Sequence, residues 1–124
     1  MKYKPSSAGE SVHREDYWKR VIFTPGDFEE AGHLLQVVTI PKKTQQRSHY
    51  HTQQTEVFYV LEGEALLYIN GEGFLAKPGD AFVCNPDDKH SVWNQADQDF
   101  KLVVFKINMP EKDDTVWESK VKKG

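Results

Sequence analysis

The sequence has few of the features that mark membrane, disulfide-stabilised or nucleic-acid-binding proteins. Cys84 is the only cysteine among 124 residues, which excludes a disulfide within the chain and a zinc site with several thiolates. No apolar run approaches the roughly 20 residues of a membrane-spanning helix, and residues 1–16 lack the apolar stretch of a secretory signal. Basic residues are in deficit, with 16 Lys and Arg against 19 Asp and Glu, whereas nucleic-acid binding favours a basic surface. We therefore expect a cytoplasmic protein that binds neither membranes nor nucleic acids.

The remaining pattern is that of a small all-β domain. Between Val21 and Ile107, short apolar and β-branched segments alternate with turns rich in Pro, Gly, Asn and Asp, which gives about nine strand candidates. Asn70-Gly71 is the strongest hairpin signal, because both residues tolerate a positive φ. This spacing predicts an all-β sandwich or small barrel over residues 21–108. Residues 1–20 are predicted as an N-terminal arm and residues 109–124 as a C-terminal extension.

Three histidines and one glutamate are candidate metal ligands. His49 and His51 are two positions apart in an extended segment, so their side chains point to the same face and can bind one ion at about 2.0–2.1 Å. Glu56 has the opposite parity, but a bend in residues 52–55 would return its carboxylate to the histidines. His90 opens a later strand and could supply a third nitrogen. The alternative for each histidine is an ordinary surface or hydrogen-bonded side chain, and spacing alone leaves both open.

Two segments resemble the two conserved motifs of the cupin family, in the family's order. The residues that carry the resemblance are His49, His51, Glu56 and Gly63 in the first motif and Gly79, Asp80, His90 and Asn94 in the second. The chain departs from the family in its loops. Lys43 stands where the first motif usually begins with glycine, and residues 85–88 replace a usual Pro-Gly turn.

The resemblance implies a small double-stranded β-helix, a jelly-roll barrel with short N- and C-terminal extensions. The implied ligands of one divalent metal ion inside this barrel are His49, His51, Glu56 and His90. Gly63 and Gly79 are implied to be turn positions, and Asn94 either a structural residue near the site or one that supports a metal ligand. Three imidazoles and one carboxylate do not select among Mn, Fe, Co, Ni, Cu and Zn.

The resemblance further implies a metal-dependent enzyme that acts on a small oxygenated molecule, as a dioxygenase, an isomerase or a lyase. Glu56, or a hydroxide on the ion, is the candidate catalytic base. A non-enzymatic module that senses or stores a small ligand is the alternative, and a purely structural metal is a third possibility. Too few residues flank the barrel for an effector domain, which favours an enzyme acting alone.

Strand alternation also predicts the surroundings of the ligands. Phe58 shares the face of Glu56, and Val92 shares the face of His90. A pocket walled by these two residues and by Phe82 would suit a small organic ligand, although for each residue alone an ordinary core position is the better expectation.

Three further expectations concern the loops, the cysteine and the assembly. Lys42, Lys43 and Arg47 could ring the barrel mouth and attract an anion, but a solvated loop is the better expectation. Cys84 is expected in the core, with the pocket as its alternative. The resemblance implies a homodimer, for which the candidate contacts are Trp18, Trp117 and the outer face of the strand that carries Val57, Tyr59 and Leu61.

Overall fold

The computed structural model describes residues 1–118, and these are almost entirely β-structure. The strands of this range are β1 (Ser11–His13), β2 (Trp18–Phe23), β3 (Leu34–Ile40), β4 (Thr44–Gln45), β5 (His49–His51), β6 (Thr55–Glu62), β7 (Ala65–Ile69), β8 (Glu72–Ala76), β9 (Ala81–Cys84), β10 (His90–Asn94), β11 (Phe100–Ile107) and β12 (Thr115–Trp117). The helical structure of residues 1–118 is limited to a 3₁₀ turn at Pro25–Asp27. Within the same range, no helix has the length and apolar character needed to cross a membrane.

The strands pair into two antiparallel sheets. The first sheet has the order β1-β2-β3-β11-β6-β9, and the second has the order β12-β5-β10-β7-β8, with β4 added beside β10. Neighbours in a sheet are often far apart in the chain, because β11 lies between β3 and β6 and β12 pairs with β5. The prediction of an all-β fold is confirmed, with more strands than the sequence indicated.

One hydrophobic core lies between the sheets, and side chains that alternate along β6, β10 and β11 contribute to it. On β6, Glu56, Phe58 and Val60 are buried, while Tyr59 and Leu61 are exposed. The buried apolar residues that form this core are Val38, Ile40, Phe58, Val60, Ala65, Leu67, Ala76, Cys84, Val92, Phe100, Leu102 and Val104. The predicted inward faces of β6 and β10 are therefore confirmed.

The turns follow the predicted glycine positions. Asn70 and Gly71 both have positive φ, 52° and 83°, and connect β7 to β8 as the hairpin signal predicted. Gly63 and Gly79 also have positive φ, 79° and 94°. Lys43 keeps a left-handed backbone, with φ 55°, at the position where the related motif usually has glycine. Lysine in place of the usual glycine therefore retains the turn conformation at this position.

Asn94 holds the end of β10 against β3. Its side chain is fully buried, and its amide donates to the carbonyl oxygens of Ile40 at 3.1 Å, Pro41 at 3.3 Å and Gln98 at 2.8 Å. Its Oδ1 accepts from the backbone N–H of Ala96 at 3.1 Å. Because all these partners are backbone groups, the role of Asn94 is structural.

Both terminal segments contribute strands to the sheets. In the N-terminal segment, β1 pairs with β2, and β2 pairs with β3 in the first sheet. In the C-terminal segment, β12 pairs with β5 over its whole length, so that Thr115 lies opposite His51 and Trp117 opposite His49. The strand that carries two predicted ligands is therefore enclosed by β10 on one side and β12 on the other.

Candidate metal centre

Four buried side chains converge on the inner wall of the barrel. His49 and His51 come from β5, Glu56 from β6 and His90 from β10, and one ligand atom of each lies within 4.8 Å of the others. None of the four residues is more than 7% exposed. His90 lies directly opposite His49 in the sheet, and the bend between β5 and β6 brings Glu56 to the same side. The structure thus brings together all four residues that the sequence indicated.

Hydrogen bonds at Nδ1 fix the orientation of two of the imidazoles. His90 Nδ1 lies 3.0 Å from the carbonyl oxygen of Asp88, and His49 Nδ1 lies 3.3 Å from that of Arg47. A carbonyl oxygen can only accept, so each Nδ1 carries the hydrogen and donates it. In the neutral imidazole each Nε2 then keeps its lone pair, which is the form in which histidine binds a metal.

The third imidazole is held by β12. His51 Nδ1 lies 2.9 Å from Thr115 Oγ1, and the Thr115 hydroxyl donates to Asp113 Oδ1 at 2.6 Å. The hydroxyl has one hydrogen, which Asp113 accepts, so Oγ1 must accept from His51. Such a chain from histidine to a carboxylate fixes the ring and increases its basicity as a ligand.

The ligand-side atoms are crowded in a way that fits a proton or a metal ion between them. Glu56 Oε1 lies 2.6 Å from His51 Nε2 and 3.2 Å from His90 Nε2. These three buried atoms have no hydrogen-bond partner of suitable geometry among residues 1–118. Lone pairs that face each other at this distance repel unless a proton or metal ion lies between them. The residues therefore fit a divalent metal ion, and their three nitrogens and one oxygen do not identify which.

The pKa values of His49 and Glu56 agree with this fit, whereas His90 fits it only after the loss of a proton. Burial, helped by the charge of His90, lowers the pKa of His49 to about 3. Burial raises the pKa of Glu56, but contacts with His51 and His90 outweigh it and hold this pKa well below 4.5. Burial lowers the pKa of His90, but contacts with Cys84 and Glu56 outweigh burial and raise this pKa to about 10. His49 and Glu56 are thus in their metal-binding forms at neutral pH, and His90 must release a proton to bind.

The cluster faces a cavity of about 500 Å³ inside the barrel, a volume typical of small-molecule sites. Phe58 and Val92 line this cavity as predicted, whereas Phe82 is not among the lining residues and instead packs against the core. Cys84 is buried in the core, where it lies directly opposite Glu56 in the strand register.

Gln54 adds a polar group beside the ligands. Its Nε2 donates to Asp114 Oδ1 at 2.5 Å, and Asp114 Oδ2 accepts from the backbone N–H groups of Gln53 at 2.7 Å and Gln54 at 2.9 Å. The buried Gln54 Oε1 has no partner in the described part of the chain, and Gln54 lines the cavity. Gln54 Oε1 is therefore the candidate acceptor for a donor group on a ligand.

Arg47 lines the cavity but its charge is already compensated. Asp16 is fully buried and accepts from the backbone N–H of Arg47 at 2.8 Å, from Nε at 3.1 Å and from Nη2 at 3.2 Å. The guanidinium also lies 4.0 Å from the ring centre of Trp117, whose ring packs 4.4 Å from that of His49. Trp117 therefore packs against the body of its own chain, next to the ligand strand.

Several residues of the site were not found from the sequence. Within residues 1–118, the cavity-wall cations that form no ion pair are Arg14, Lys19 and Lys106, and neither Lys42 nor Lys43 is part of that wall. Lys106 had a usable signal, because it shares its parity with the apolar residues Leu102 and Val104. Thr115 and Asp16 had none, because their roles depend on pairing between distant segments.

Comparisons with known proteins identify the fold. The sequence profile described as a cupin domain matches residues 36–106. Among solved structures, Streptomyces Pac13, described as a nucleoside dehydratase, is 14% identical over 98% of this chain and 95% of its own, with a TM-score of 0.76. Ectoine synthase from P. lautus is 17% identical over 96% and 91%, with a TM-score of 0.75. No curated protein shows significant sequence similarity to the chain.

A Klebsiella pneumoniae protein described by its double-stranded β-helix domain is 21% identical, covering 94% of this chain and 90% of its own, with a TM-score of 0.67. At these identities the likeness concerns the fold alone. It confirms the predicted double-stranded β-helix.

Proposed function

The chain belongs to the cupin family, and on this basis we propose that it is a metal-dependent enzyme acting on a small oxygenated molecule, of the dioxygenase, isomerase or lyase type. The observation that carries the proposal is the cluster of His49, His51, Glu56 and His90 on the wall of a cavity of about 500 Å³. A divalent ion bound there would supply Lewis-acid or redox chemistry to a ligand in the cavity.

The chain's own residues have separate roles in this proposal. Glu56 is both a metal ligand and the candidate base, because its ionised carboxylate can accept a proton. Gln54 Oε1 accepts a hydrogen bond from the substrate and orients it. Phe58 and Val92 exclude water from the cavity, which strengthens electrostatic interactions inside it.

A non-enzymatic ligand-binding module is the alternative, and it would use the same metal centre without turnover. The enzyme is favoured because the centre lies beside a cavity with further polar groups. Pac13, which shares the fold, has been solved with uridine, which supports a small polar molecule as the ligand class. A cytoplasmic location is part of the proposal.

We also propose that the chain forms a homodimer through the outer face of the first sheet. Tyr59, Leu61 and Val83 are exposed there on adjacent strands β6 and β9. Trp18 and Trp117 stack on residues of their own chain. The apolar sheet face is therefore a better candidate contact than the two tryptophans.

Elemental analysis of untagged protein tests the metal centre. We expect about one transition-metal ion per chain, because four buried ligands form a strong site. The ion should be lost in the double variant His49→Ala/His51→Ala and retained in His13→Ala, which removes a histidine outside the cluster. Protein that contains no metal, and whose melting temperature is unchanged by added ions, would contradict the proposal.

Turnover distinguishes the enzyme from the binding module. If iron is present, oxygen consumption is screened with small oxygenated compounds; for other metals, isomerase and lyase substrates are screened first. We expect Glu56→Gln to abolish turnover, since it removes the charge of a ligand and candidate base at nearly constant volume. A metal-loaded protein that is stabilised by small ligands but converts none of them would favour the binding module.

A further inference from the structure

Two lysines extend from the inner face of the first sheet into the cavity. Lys106 on β11 lies directly opposite Glu56 in the sheet, and residues opposite each other in antiparallel strands present their side chains on the same face. Lys19 on β2 lies directly opposite the buried Val38. Both lysines line the cavity, so positive charge is placed on the wall that carries the ligand carboxylate.

Neither lysine is neutralised by an ion pair within residues 1–118. The lysines that do form ion pairs are Lys4, Lys43, Lys89 and Lys101, whose partners are Asp27, Asp97, Glu118 and Glu62. None of these four lysines lines the cavity. The other lysines of this range that lack an ion pair are exposed to solvent, whereas Lys19 and Lys106 are half-buried on the cavity wall, where an unpaired charge is more costly than at the surface.

The acidic groups that face the two lysines have other partners or lie at the mouth. Asp113 accepts from the backbone N–H and the hydroxyl of Thr115, at 3.0 Å and 2.6 Å. Glu56 belongs to the metal cluster, and Glu111 is an exposed residue of the cavity wall. Arg14 adds a third cation at the wall.

The repulsion between these cations affects the pKa of Lys19. Burial lowers the pKa of Lys19, and the charges of Lys106 and Arg14 lower it further, while Asp113 opposes them only in part. An anion between the cations would relieve this repulsion. The chain has a net charge of −3, and the cavity wall also carries Glu56, Glu111 and Asp113, so the positive charge is confined to the patch that the three cations form.

We propose that Lys19 and Lys106, with Arg14 beside them, bind an oxyanion group of the substrate, which is a small organic acid or phosphate ester. The other end of this substrate reaches the metal cluster beside Glu56, and this part of the inference rests on the proposed function. Carboxylate and phosphate share the relevant chemistry, a compact delocalised negative charge that accepts several charge-assisted hydrogen bonds.

Calorimetric titration and thermal shift test oxyanion binding on the full chain, as purified and again after chelation of metal. The probes are malonate, inorganic phosphate and neutral glycerol. We expect malonate, phosphate or both to bind in both states, more weakly at higher ionic strength, and glycerol not to bind. Binding of malonate alone identifies an organic acid, and binding of phosphate alone identifies a phosphate ester. Binding that disappears with the metal would assign the anion to the ion and overturn the inference.

Variants assign the binding to the lysines. We expect Lys106→Met to weaken binding about tenfold or more, and Lys106→Arg to retain most of it. Lys101→Met is the matched control, because it removes the same charge from the same strand on the opposite face. Equal affinities in Lys106→Met and Lys101→Met would overturn the inference. If Lys106→Met does not fold, Lys19→Met provides the same measurement.

The metal content of each variant separates the two proposals. Lysine-dependent binding in a protein without metal would leave this inference standing while the proposed function fails. A metal-containing protein that binds neither anion would overturn this inference and leave the proposed function standing.

Discussion

Gly63 and Gly79 have similar backbone conformations but different surroundings. A Cβ at Gly63 would lie 2.6 Å from the carbonyl oxygen of Asp99, whereas a Cβ at Gly79 would meet nothing within 4 Å. Alanine at Gly79 therefore introduces only left-handed backbone strain, which costs about 1–2 kcal/mol. At Gly63 it adds a clash with backbone that cannot move freely.

We expect Gly63→Ala to lower the free energy of unfolding by about 3 kcal/mol or more, and Gly79→Ala by about 1–2 kcal/mol. Urea denaturation of the two variants beside the wild type measures the difference. Equal losses would show that the contact with Asp99 does not constrain the turn.

The four ligand residues could be named from the sequence because two kinds of signal combine. Alternation places His49 and His51 on one face, and the resemblance to the two cupin motifs adds Glu56 and His90. The state of each imidazole could not be found, because it depends on partners that only the folded chain provides. The hydroxyl that fixes His51 belongs to Thr115, 64 residues away.

At the scale of the secondary-structure elements, β12 is the strand that positions His51. Thr115→Val replaces the hydroxyl by a methyl group of similar size, so His51 Nδ1 loses its acceptor and the ring loses its orientation. Loss of such an outer hydrogen bond lowers metal affinity by about 10- to 100-fold. Competition with a chelating dye measures this affinity.

Val116→Thr is the control for this substitution. Val116 is on the same strand but is exposed, and therefore it faces away from the ligands. We expect its metal affinity to match the wild type. A Thr115→Val protein with unchanged affinity would mean that strand pairing alone orients His51.

Long strands could be predicted from the sequence, and very short ones could not. The hairpin at Asn70-Gly71 has a turn signal of its own, and the eight residues of β6 show clear alternation. By contrast, β1 and β12 have three residues each, too few to carry a periodic pattern. They are strands because β2 and β5 offer edges to pair with.

At the scale of the whole molecule, the outer face of the first sheet presents exposed apolar side chains on the adjacent strands β6 and β9, which suits self-association. We expect the wild type to be a dimer in solution and the double variant Tyr59→Glu/Val83→Glu to be a monomer, because two buried carboxylates would oppose the contact. Size-exclusion chromatography with light scattering measures the mass. Leu75→Glu, an exposed position on β8 of the second sheet, should remain dimeric. A monomeric wild type would contradict this assembly.

The fold class could be predicted from the sequence, but the order of strands in the sheets could not. Regular turns and the absence of helical periodicity limit the chain to a sandwich or barrel. Which strands become neighbours is decided by long-range packing, as with β11 between β3 and β6. For this reason the meeting of Lys19 from β2 and Lys106 from β11 on one cavity wall became apparent only in the folded chain.

The strand pairings join segments that are far apart in the sequence, and this affects the lifetime of the folded state. Contacts such as that of Thr115 with His51 join segments 64 residues apart, and chains dominated by such contacts fold on the order of milliseconds to seconds. The four donor atoms meet only when β5, β6 and β10 are already assembled. A metal ion therefore has no site in the unfolded chain and little to bind in the folding transition state. Its stabilisation would act on the rate of unfolding, lengthening the lifetime of the folded protein without accelerating its formation.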